Sequence, residues 1–433
     1  MRTAHTADEL ASFLPSMRIW IFNHYAAAPD MGAGTRHYDI GAELVRAGHE
    51  VVIFASGFRH STRRDERVGR WRLVRHEKVN GVRFVWIRTT PYGGTVARAL
   101  NMISYALMVM VAQSTEARPD VIIGSSVHPL AAVAARLVAP LRRAPFVFEV
   151  RDLWPQTLVD LGALSERSLA VRLLRWTERW LYRSAHAVIT LLGDAIQYIV
   201  EHGADARRVA YIPNGVAFGP RPSMVDRVID AGLMEWQARH QFVAAYVGTM
   251  GRANAVGVAL EAAAILATRG RDDIGVLLVG GGPERGLLAA SVQQRRLRNA
   301  YVTGPIPKRS VRRLLESVDA GILHLASSPV YRYGISPNKL FDYLAASRPV
   351  LLAVNMLNDP VLDSGAVVTV PADDPVKFAD GLERLADMAA SSRTAMGDAG
   401  RRYVEEHHDM RVLARRVEEM CRVAVAARGR AGD

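Results

Sequence analysis

Residues 334–350 hold the side chains whose types and spacing are best suited to chemistry. Ser336 and Pro337 mark the amino end of a predicted helix, where free backbone N–H groups and the positive end of the helix dipole attract an anion. Lys339 adds a compact positive charge, and Asp342, three residues later, lies on the same side of the helix. This arrangement predicts a site for a diphosphate group and for the hydroxyl groups of a sugar.

The lysine at this position is informative because lysine is rare in the chain. Of the 55 lysine and arginine residues only four are lysines, at positions 78, 308, 339 and 377. Coding bias explains the excess of arginine, but a lysine kept where arginine is the common cation indicates a need for a compact ammonium group. The alternative is that Lys339 is a solvated residue at the start of a helix.

The loop after the first predicted strand carries two glycines ahead of a helix. Gly32 and Gly34 would let the backbone approach a phosphate or a sugar closely. Arg36 and His37, just beyond them, could reach a bound acceptor. The glycine pair could equally form only a tight turn.

Two loops of the second half carry further candidates. Gly251 and Arg252 follow a strand, and the guanidinium group could bind a diphosphate oxygen and stabilise the charge on a departing phosphate. The alternative for Arg252 is an ion pair at a domain interface. Gly304, Pro305 and Ile306 form a rigid turn whose backbone groups could contact the edge of a base, or which could be purely structural.

A third loop, residues 280–284 with the sequence Gly-Gly-Gly-Pro-Glu, also follows a strand and starts a helix. It lacks the six-position spacing of the dinucleotide fingerprint and the Gly-Lys-Ser/Thr sequence of the P-loop. The loop therefore argues against a dehydrogenase and against a P-loop kinase.

In the first half, His128 follows a strand end and could hydrogen-bond a transferred sugar or an acceptor. A structural role for His128 is the alternative. Glu149 and Asp152 flank Arg151 and could simply order the loop before Trp154, or Asp152 could bind acceptor hydroxyl groups.

These loops belong to two series of short apolar strands that alternate with helices. The pattern predicts an α/β fold with two Rossmann-like, doubly wound domains that face each other across a cleft. The predicted strands are residues 17–22, 50–54, 82–87, 121–124, 146–149 and 187–190, followed by 242–248, 275–279, 300–303, 320–324 and 349–353. The predicted organisation is a disordered leader at 1–16, domains at 17–215 and 241–405, a linker at 216–240, and a carboxyl-terminal helix at 406–433 that could pack on the first domain.

Composition narrows the class of protein. The chain has 433 residues, 49% of them hydrophobic, which suits two or three domains with their own cores. The lone cysteine, Cys421, excludes an intramolecular disulfide framework and any multi-cysteine metal site. The longest apolar stretch, residues 99–112, is interrupted by Asn101 and Ser104, so no membrane span is expected, and a cytoplasmic location is predicted.

Two basic segments suggest contact with an anionic surface. The net charge is +12. Residues 59–78 surround Trp71 with arginines, and the predicted helix 169–184 alternates arginine with leucine and tryptophan. Each segment is either an ordinary solvated or packed face, or a site of peripheral contact with anionic lipid at the inner face of the plasma membrane. The composition of residues 59–78 would also suit nucleic acid.

Several motifs together resemble a known family. They are Gly-His-Glu-Val (48–51), Glu-Val-Arg-Asp-Leu-Trp-Pro (149–155), Ile-Pro-Asn-Gly-Val (212–216), Val-Gly-Gly-Gly-Pro-Glu (279–284) and Ser-Pro-Asn-Lys-Leu-Phe-Asp-Tyr-Leu-Ala (336–345). In this order they resemble the retaining glycosyltransferases of family 4, which have the GT-B fold. The second and last motifs are most similar to the fucosaminyl-transferase-like branch of bacterial surface polysaccharide synthesis.

The resemblance implies a nucleotide-sugar donor, most commonly a UDP-sugar, a glycan or polyprenyl-diphosphate-linked acceptor, and transfer with retention of configuration. No metal or other cofactor is expected, and no nucleic-acid partner. The implied catalytic residues are Arg252, Lys339 and His128, and the acceptor residues are Arg36, His37 and Asp152. The implied donor-binding residues are Gly32, Gly34, Gly251, Gly304, Pro305, Ile306, Gly334, Ile335, Ser336, Asn338 and Asp342.

The chain departs from the family pattern at three positions. The paired glutamates of the family fall at Gly334 and Asp342, so the first carboxylate is absent and the second is shortened. The usual lysine after the donor-domain arginine falls at Val258, and Lys339 is the hypothetical substitute. A sugar-nucleotide epimerase of similar architecture, a basic nucleic-acid-binding protein and a catalytically silent scaffold remain as alternatives.

Overall fold

The computed structural model describes residues 15–31, 34–59, 62–69, 71–126, 128–218, 231–355 and 359–429. These residues form two compact units. Unit 1 contains the described residues up to Leu191, then Ala195–Ile212 and the described residues from Ala414 onward. Unit 2 contains Leu192–Asp194 and the described residues between Pro213 and Leu413. Parts of several predicted features lie outside the described residues. They are the leader up to residue 14, Gly32, residues 60, 61 and 70 of the basic segment, linker residues 219–230 and residues 430–433 of the carboxyl-terminal helix.

Unit 1 is organised around one large sheet. Its strands are β1 Arg18–Phe22, β2 Glu50–Ser56, β5 Val74–Val79, β6 Val82–Ile87, β7 Val121–Ser126, β8 Phe146–Val150, β9 Ala187–Thr190 and β10 Val209–Tyr211, beside a small hairpin of β3 Phe58–Arg59 and β4 Arg64–Asp65. The order in the sheet is β10-β9-β8-β7-β1-β2-β6-β5. Only β5 runs antiparallel to its neighbour among the described strands of this sheet.

The helices of unit 1 connect these strands. They are α1 Arg36–Arg46, α2 Thr95–Ala112, α3 Pro129–Leu141, α4 Gln156–Asp160, α5 Leu169–Ser184 and α6 Ala195–Glu201. Helices α2 and α3 pack against each other, and α3 also packs against α5. Ser168 caps α5 by accepting a hydrogen bond from the backbone N–H of Val171 at 3.2 Å.

Unit 2 has a six-stranded sheet within its described residues, and every strand pair is parallel. The strands are β11 Phe242–Val247, β12 Ile274–Val279, β13 Ala300–Thr303, β14 Ala320–His324, β15 Val350–Ala353 and β16 Val367–Val370. The helices are α7 Ala231–Ala238, α8 Gly257–Thr268, α9 Arg285–Arg295, α10 Lys308–Glu316, α11 Asn338–Ala345, α12 Pro375–Asp387 and α13 Ala390–His407, and α14 Met410–Gly429 begins in unit 2 and continues in unit 1. The order β13-β12-β11-β14-β15-β16 is that of the Rossmann fold.

The predicted α/β class with two Rossmann-like domains is confirmed, and all eleven predicted strands are present with ends shifted by two residues at most. Strands β11 and β12 bury every residue, as expected for parallel strands covered on both faces. Strand β5 was not predicted, because its sequence Val-Arg-His-Glu-Lys-Val is largely polar and lies at a half-exposed edge. The short edge strands β10 and β16 were also missed.

The expectation that no segment is long and apolar enough to span a membrane was wrong. The stretch Thr95–Thr115, which contains α2, is long and apolar enough by those criteria alone, and 28% of its apolar window is buried. The interruptions at Asn101 and Ser104 do not break the helix, because Asn101 Nδ2 donates to Thr89 Oγ1 at 2.9 Å and Ser104 Oγ donates to the Asn101 carbonyl at 2.8 Å.

Helix α14 packs within unit 1 from Ala414 onward. Glu418 lies 3.2 Å from His49 Nε2, and Arg422 donates to the carbonyl of Pro15 at 3.5 Å. Cys421, on the same helix, is fully buried. Burial, with the charge of Glu418, raises the pKa of its thiol to about 12.

Candidate active site

In each unit one point of the sheet is favoured for ligand binding. Parallel strands leave a crevice at their carboxyl ends wherever the order of strands reverses direction. In unit 2 this reversal lies between β11 and β14, and in unit 1 it lies between β1 and β7. The loops that follow these four strands carry several of the polar residues described below, namely Asn23, His24, His128, Arg252, Asn254 and Ser336.

In unit 2 the loops after β11 and β12 approach each other so closely that both need glycine. Gly280 has a φ of +150°, and a Cβ atom there would lie 1.8 Å from the carbonyl oxygen of Gly248. The backbone N–H of Met250 donates to the carbonyl of Gly281 at 2.7 Å, which holds the two loops together. A Cβ atom on Gly248 would lie 2.3 Å from Lys339 Cε, so the lysine stem passes directly over the end of β11.

Lys339 is held in this position by neutral partners. Its Nζ donates to Tyr246 Oη at 2.8 Å and to Asn254 Oδ1 at 2.7 Å, and it lies 4.5 Å from the centre of the Tyr246 ring. No described carboxylate forms an ion pair with it. Burial lowers the pKa of Lys339 to about 8. The ammonium group is therefore charged at neutral pH but is not compensated by an acidic side chain.

Helix α11 is oriented by a second contact with the same strand. Tyr343, one helical turn after Lys339, accepts a hydrogen bond from the backbone N–H of Val247 at 2.9 Å. Its ring also packs over Gly321, where a Cβ atom would lie 2.5 Å from the ring. The two side chains at positions 339 and 343 thus fix the amino end of α11 against the end of β11.

Arg252 lies on the short 3-10 turn Arg252–Asn254 that follows this strand. Asn254 holds the turn, since its Nδ2 donates to the carbonyl of Thr249 at 3.0 Å while its Oδ1 accepts from Lys339. The side chain of Arg252 is exposed. Arg252 and Lys339 are two of the three predicted catalytic residues. The structure brings the turn that carries Arg252 into contact with Lys339 through Asn254.

The other predicted donor residues of unit 2 lie on three loops. Ser336 Oγ accepts from the backbone N–H of Asn214 at 2.8 Å, and Asn338 is exposed at the start of α11. Asp342 is half-buried on α11. Gly251 adopts an extended conformation directly before Arg252.

The turn after β13 holds the remaining three predicted donor-binding residues of unit 2. Gly304 lies beside the guanidinium of Arg285, Pro305 is exposed, and Ile306 packs on the edge of the core. In unit 1, Gly34 is exposed immediately before α1.

One acidic residue of this region was missed by the sequence analysis. Gly334 has a φ of +94°, and a Cβ atom there would lie 3.8 Å from Asp359 Oδ2. The same oxygen accepts from the backbone N–H of Ile335 at 3.2 Å, and Asp359 Oδ1 accepts from that of Val361 at 3.0 Å. Burial raises the pKa of Asp359 in spite of these hydrogen bonds. A carboxylate is thus present beside the position where the family pattern has its first glutamate.

In unit 1 a buried polar network joins the loops at the carboxyl ends of the strands. Glu149, at the end of β8, accepts from Arg36 Nε at 3.0 Å and contacts His37 Nε2 at 2.6 Å. Arg36 also donates to the carbonyl of Ile212 at 2.9 Å, and Asn23 Nδ2 lies 3.1 Å from both His37 Nδ1 and Ser125 Oγ. The network therefore connects residues in the last positions of β7 and β8 with residues that follow β1 and β10.

The protonation states follow from burial and from these partners. Burial by itself would raise the pKa of Glu149, but His37 and Arg36 outweigh it and hold the pKa well below its usual range. Burial lowers the pKa of His37 despite the carboxylate. A neutral His37 donates from Nε2 to Glu149 and accepts from Asn23 at Nδ1. Arg36 and His37 thus hold Glu149 in place, and their role towards an acceptor stays a prediction.

His128 lies in the same region as a buried pair with His24. The atoms His128 Nε2 and His24 Nδ1 are 2.7 Å apart. Burial, with the nearby charge of Arg98, lowers the pKa of His128 to about 3. Its Nδ1 is buried and has no hydrogen-bond partner among the described residues. His128 is therefore neutral at physiological pH, and its contact with a ligand stays a prediction because the whole side chain is buried.

Two further observations concern Asp152 and possible metal ligands. The side chain of Asp152, the third predicted acceptor residue, is exposed after β8. Among the described residues, no group of three or more His, Cys, Asp and Glu side chains is arranged to hold a metal ion.

Comparison with known families assigns these two units. Residues 31–215 match the family described as glycosyl transferase 4-like domain, and residues 241–388 match glycosyl transferases group 1. The chain belongs to the GT-B glycosyltransferases of this group. It is therefore an enzyme that transfers a sugar.

Individual relatives agree with this assignment. The glycosyltransferase is 23% identical over 311 residues to the probable glycosyltransferase WbjE of Pseudomonas aeruginosa, a match that covers 69% of this chain and 74% of that protein. Its fold is similar to that of sucrose-phosphate synthase from Thermosynechococcus elongatus, with a TM-score of 0.70, 17% identity and coverage of 95% and 99% of the two chains. It is also similar to Anabaena HepE in complex with UDP and glucose, with a TM-score of 0.63, 12% identity and coverage of 93% and 98%.

The close approach of the two glycine loops gives a first prediction for this glycosyltransferase. Replacing Gly280 with Ala forces Cβ against the Gly248 carbonyl, and we expect the unfolding free energy of unit 2 to fall by about 2 kcal/mol or more. Gly286→Ala is the matched control, because Gly286 lies in α9 with nothing within 4 Å of the added Cβ, so its stability should be unchanged or slightly raised. Thermal unfolding followed by circular dichroism measures both; equal melting temperatures for the two variants would contradict the packing described.

Proposed function

We propose that this glycosyltransferase takes its sugar from a uridine diphosphate donor bound by unit 2 and transfers it with retention of configuration. The observation that carries the proposal is the uncompensated charge of Lys339. Its hydrogen-bond partners, Tyr246 and Asn254, are both neutral, and burial already opposes its charge. A diphosphate group at the end of β11 would supply the missing negative charge.

The surrounding residues fit the rest of such a donor. The exposed guanidinium of Arg252 would contact the diphosphate from the adjoining turn and stabilise the charge that develops as the phosphate departs. Asp342, on the same helix as Lys339, would bind the ribose hydroxyl groups. The turn that contains Pro305 and Ile306 would contact the base. Uridine is proposed because the similar HepE structure contains UDP and glucose.

The proposed chemistry needs no metal ion, since Arg252 and Lys339 supply positive charge. In the step itself, the bond from the anomeric carbon to the donor phosphate breaks while the acceptor oxygen bonds to that carbon on the same face. The acceptor proton passes to the departing phosphate. His128 is too weak a base for this role at a pKa of about 3, so it would hydrogen-bond the transferred sugar or the acceptor.

We further propose that Asp359 takes the place of the carboxylate that is missing at position 334. It lies beside that position, since a Cβ atom on Gly334 would lie 3.8 Å from Asp359 Oδ2. Its carboxylate would accept a hydrogen bond from a hydroxyl group of the transferred sugar.

For the acceptor, the proposal is a glycan or a polyprenyl-diphosphate-linked sugar in the synthesis of a cell-surface polysaccharide, used at the cytoplasmic side of the membrane. The support is the similarity of the motifs at 149–155 and 336–345 to the fucosaminyl-transferase-like branch. Unit 1 would bind this acceptor, with Asp152 as its exposed candidate.

The charge of Lys339 should make nucleotide binding depend on pH. The dissociation constant of UDP, measured by isothermal titration calorimetry, should be nearly constant between about pH 7 and pH 8, where the terminal phosphate stays ionised. It should rise by up to about tenfold per pH unit above pH 8, as the free lysine loses its proton. Lys339→Met should weaken binding about 10- to 100-fold at pH 7 and abolish this rise. Lys377→Met, at an exposed lysine of unit 2, is the control. Wild-type affinity in Lys339→Met would rule out the donor site proposed here.

Transfer itself can be tested with a panel of α-linked UDP-sugars. We expect one of them to be consumed, and the product with a synthetic polyprenyl-diphosphate sugar to keep the α configuration in its anomeric NMR coupling. Chelation of divalent metals should leave the rate unchanged. A β-linked product would disprove retention, and loss of activity with the chelator would disprove metal independence.

The role of Asp359 separates sugar recognition from nucleotide recognition. Asp359→Asn keeps the acceptor for the Val361 N–H but removes the charge, and should lower kcat/KM about 10- to 100-fold while leaving the UDP dissociation constant unchanged. Asp363→Asn, in the same turn Pro360–Ser364, provides the control because this side chain is exposed. Equal kcat/KM values for the two variants would remove Asp359 from the sugar site.

A further inference from the structure

An apolar surface on unit 1 has no role in the site described above. We call it the helical face. It consists of Val96, Leu100, Ile103, Leu107 and Val111 of α2, Leu137 and Leu141 of α3, and Leu169, Leu173 and Trp176 of α5. These side chains are 44 to 78% exposed. On α2 they recur every three or four residues and so form one continuous outward stripe.

The three helices form one layer. Helix α3 lies between α2 and α5 and packs against both. The opposite side of each helix is fixed to the sheet; on α2, for example, Tyr105 Oη donates to the carbonyl of Phe54 at 2.7 Å, and Asn101 is fully buried. Helix α2 is therefore anchored in unit 1. Its exposed apolar side chains belong to a surface of this unit, and the helix is not a membrane-spanning segment.

The charged residues of these helices are almost all basic. Together the three helices contain six arginines and a single acidic residue, Glu178. Glu178 is buried and accepts from the hydroxyl groups of Tyr182 and Tyr198 at 3.2 Å each, so it does not contribute to the surface. Arg175 pairs with Glu166, just before α5, at 2.7 Å. The outer surface formed by the three helices thus combines apolar side chains with an excess of positive charge.

Helix α5 adds a groove suited to an anionic group at the edge of this surface. The groove has a volume of about 540 Å³ and is lined by Arg172, Arg175, Trp176, Arg179, Trp180 and Arg183. Trp176 and Trp180 stack with their ring centres 6.4 Å apart, and Arg136 lies over the Trp180 ring at 5.7 Å. Tryptophan beside arginine is the composition found where a protein meets lipid headgroups.

We infer that the helical face docks unit 1 onto the surface of an anionic lipid bilayer. The leucine, valine and isoleucine side chains of α2 and α3 would enter the boundary between headgroups and acyl chains, and the arginines of α5 would contact the lipid phosphates. Charge argues against a second copy of the chain as the partner, because two such faces would bring Arg172, Arg179 and Arg183 of each copy together, and Glu166 already pairs with Arg175. The inference does not require any nucleotide to bind and is independent of the proposed donor.

Flotation with lipid vesicles tests this inference on the full chain. We expect the protein to float with vesicles that contain phosphatidylglycerol and not with pure phosphatidylcholine, and to be released at high salt. The triple variant Arg172→Ser, Arg179→Ser, Arg183→Ser should partition about a hundredfold more weakly. Leu107→Glu, at a side chain that is 65% exposed, should also lose flotation without a change in melting temperature.

The matched control is Leu287→Glu, at a leucine on α9 of unit 2 that is 73% exposed, which should float like the wild type. Three results would overturn the inference. The first is absence of flotation with both kinds of vesicle, and the second is flotation of Leu107→Glu at the wild-type level. The third is a wild-type dimer in analytical ultracentrifugation that Leu107→Glu dissociates, since the helical face would then be a protein interface.

Discussion

The structure depends on a constraint of parallel sheets. When strands are added on both sides of the first strand, the loops that leave the two neighbouring strands at the point of reversal must run in opposite directions. In unit 2 the chain adds β12 and β13 on one side of β11 and β14 to β16 on the other. The crevice left between the two groups is the place where ligands bind in such sheets. Gly248 and Lys339 lie at the end of β11, beside this reversal, and Gly280 at the end of β12 packs against Gly248 from the other side.

The two units differ in whether a buried charged side chain has a partner of opposite charge. In unit 1 the carboxylate of Glu149 contacts Arg36 and His37, and Arg36 also donates to a backbone carbonyl. The buried charges are therefore neutralised within the protein, and the network connects the ends of four strands. In unit 2 the ammonium of Lys339 has neutral partners only. A charge that the protein leaves uncompensated is costly to keep in a folded chain, and it indicates where a ligand of opposite sign belongs.

The sequence predicts the part of this structure that local patterns encode. The buried strands were predicted nearly to their ends because apolar runs bounded by turn residues specify them, and Lys339 stood out because lysine is scarce. The partners of these residues could not be predicted. Glu149 lies 113 residues from Arg36, and Asp359 lies 24 residues from the Ile335 N–H that it accepts from, so only the folded sheet brings them together. Of the helical face, only the helix at 169–184 was singled out from the sequence. The parts on α2 and α3 were missed because their apolar residues alternate with buried ones that fit an ordinary core helix.

Cys421 has a practical consequence for work on this enzyme. Its thiol is fully buried in α14, and a pKa near 12 leaves almost no thiolate at neutral pH. The native chain therefore behaves towards maleimide reagents as if it had no cysteine. A cysteine introduced at any exposed position would be the sole labelled residue, so fluorophores or spin probes can be attached to a chosen loop without first removing a native side chain.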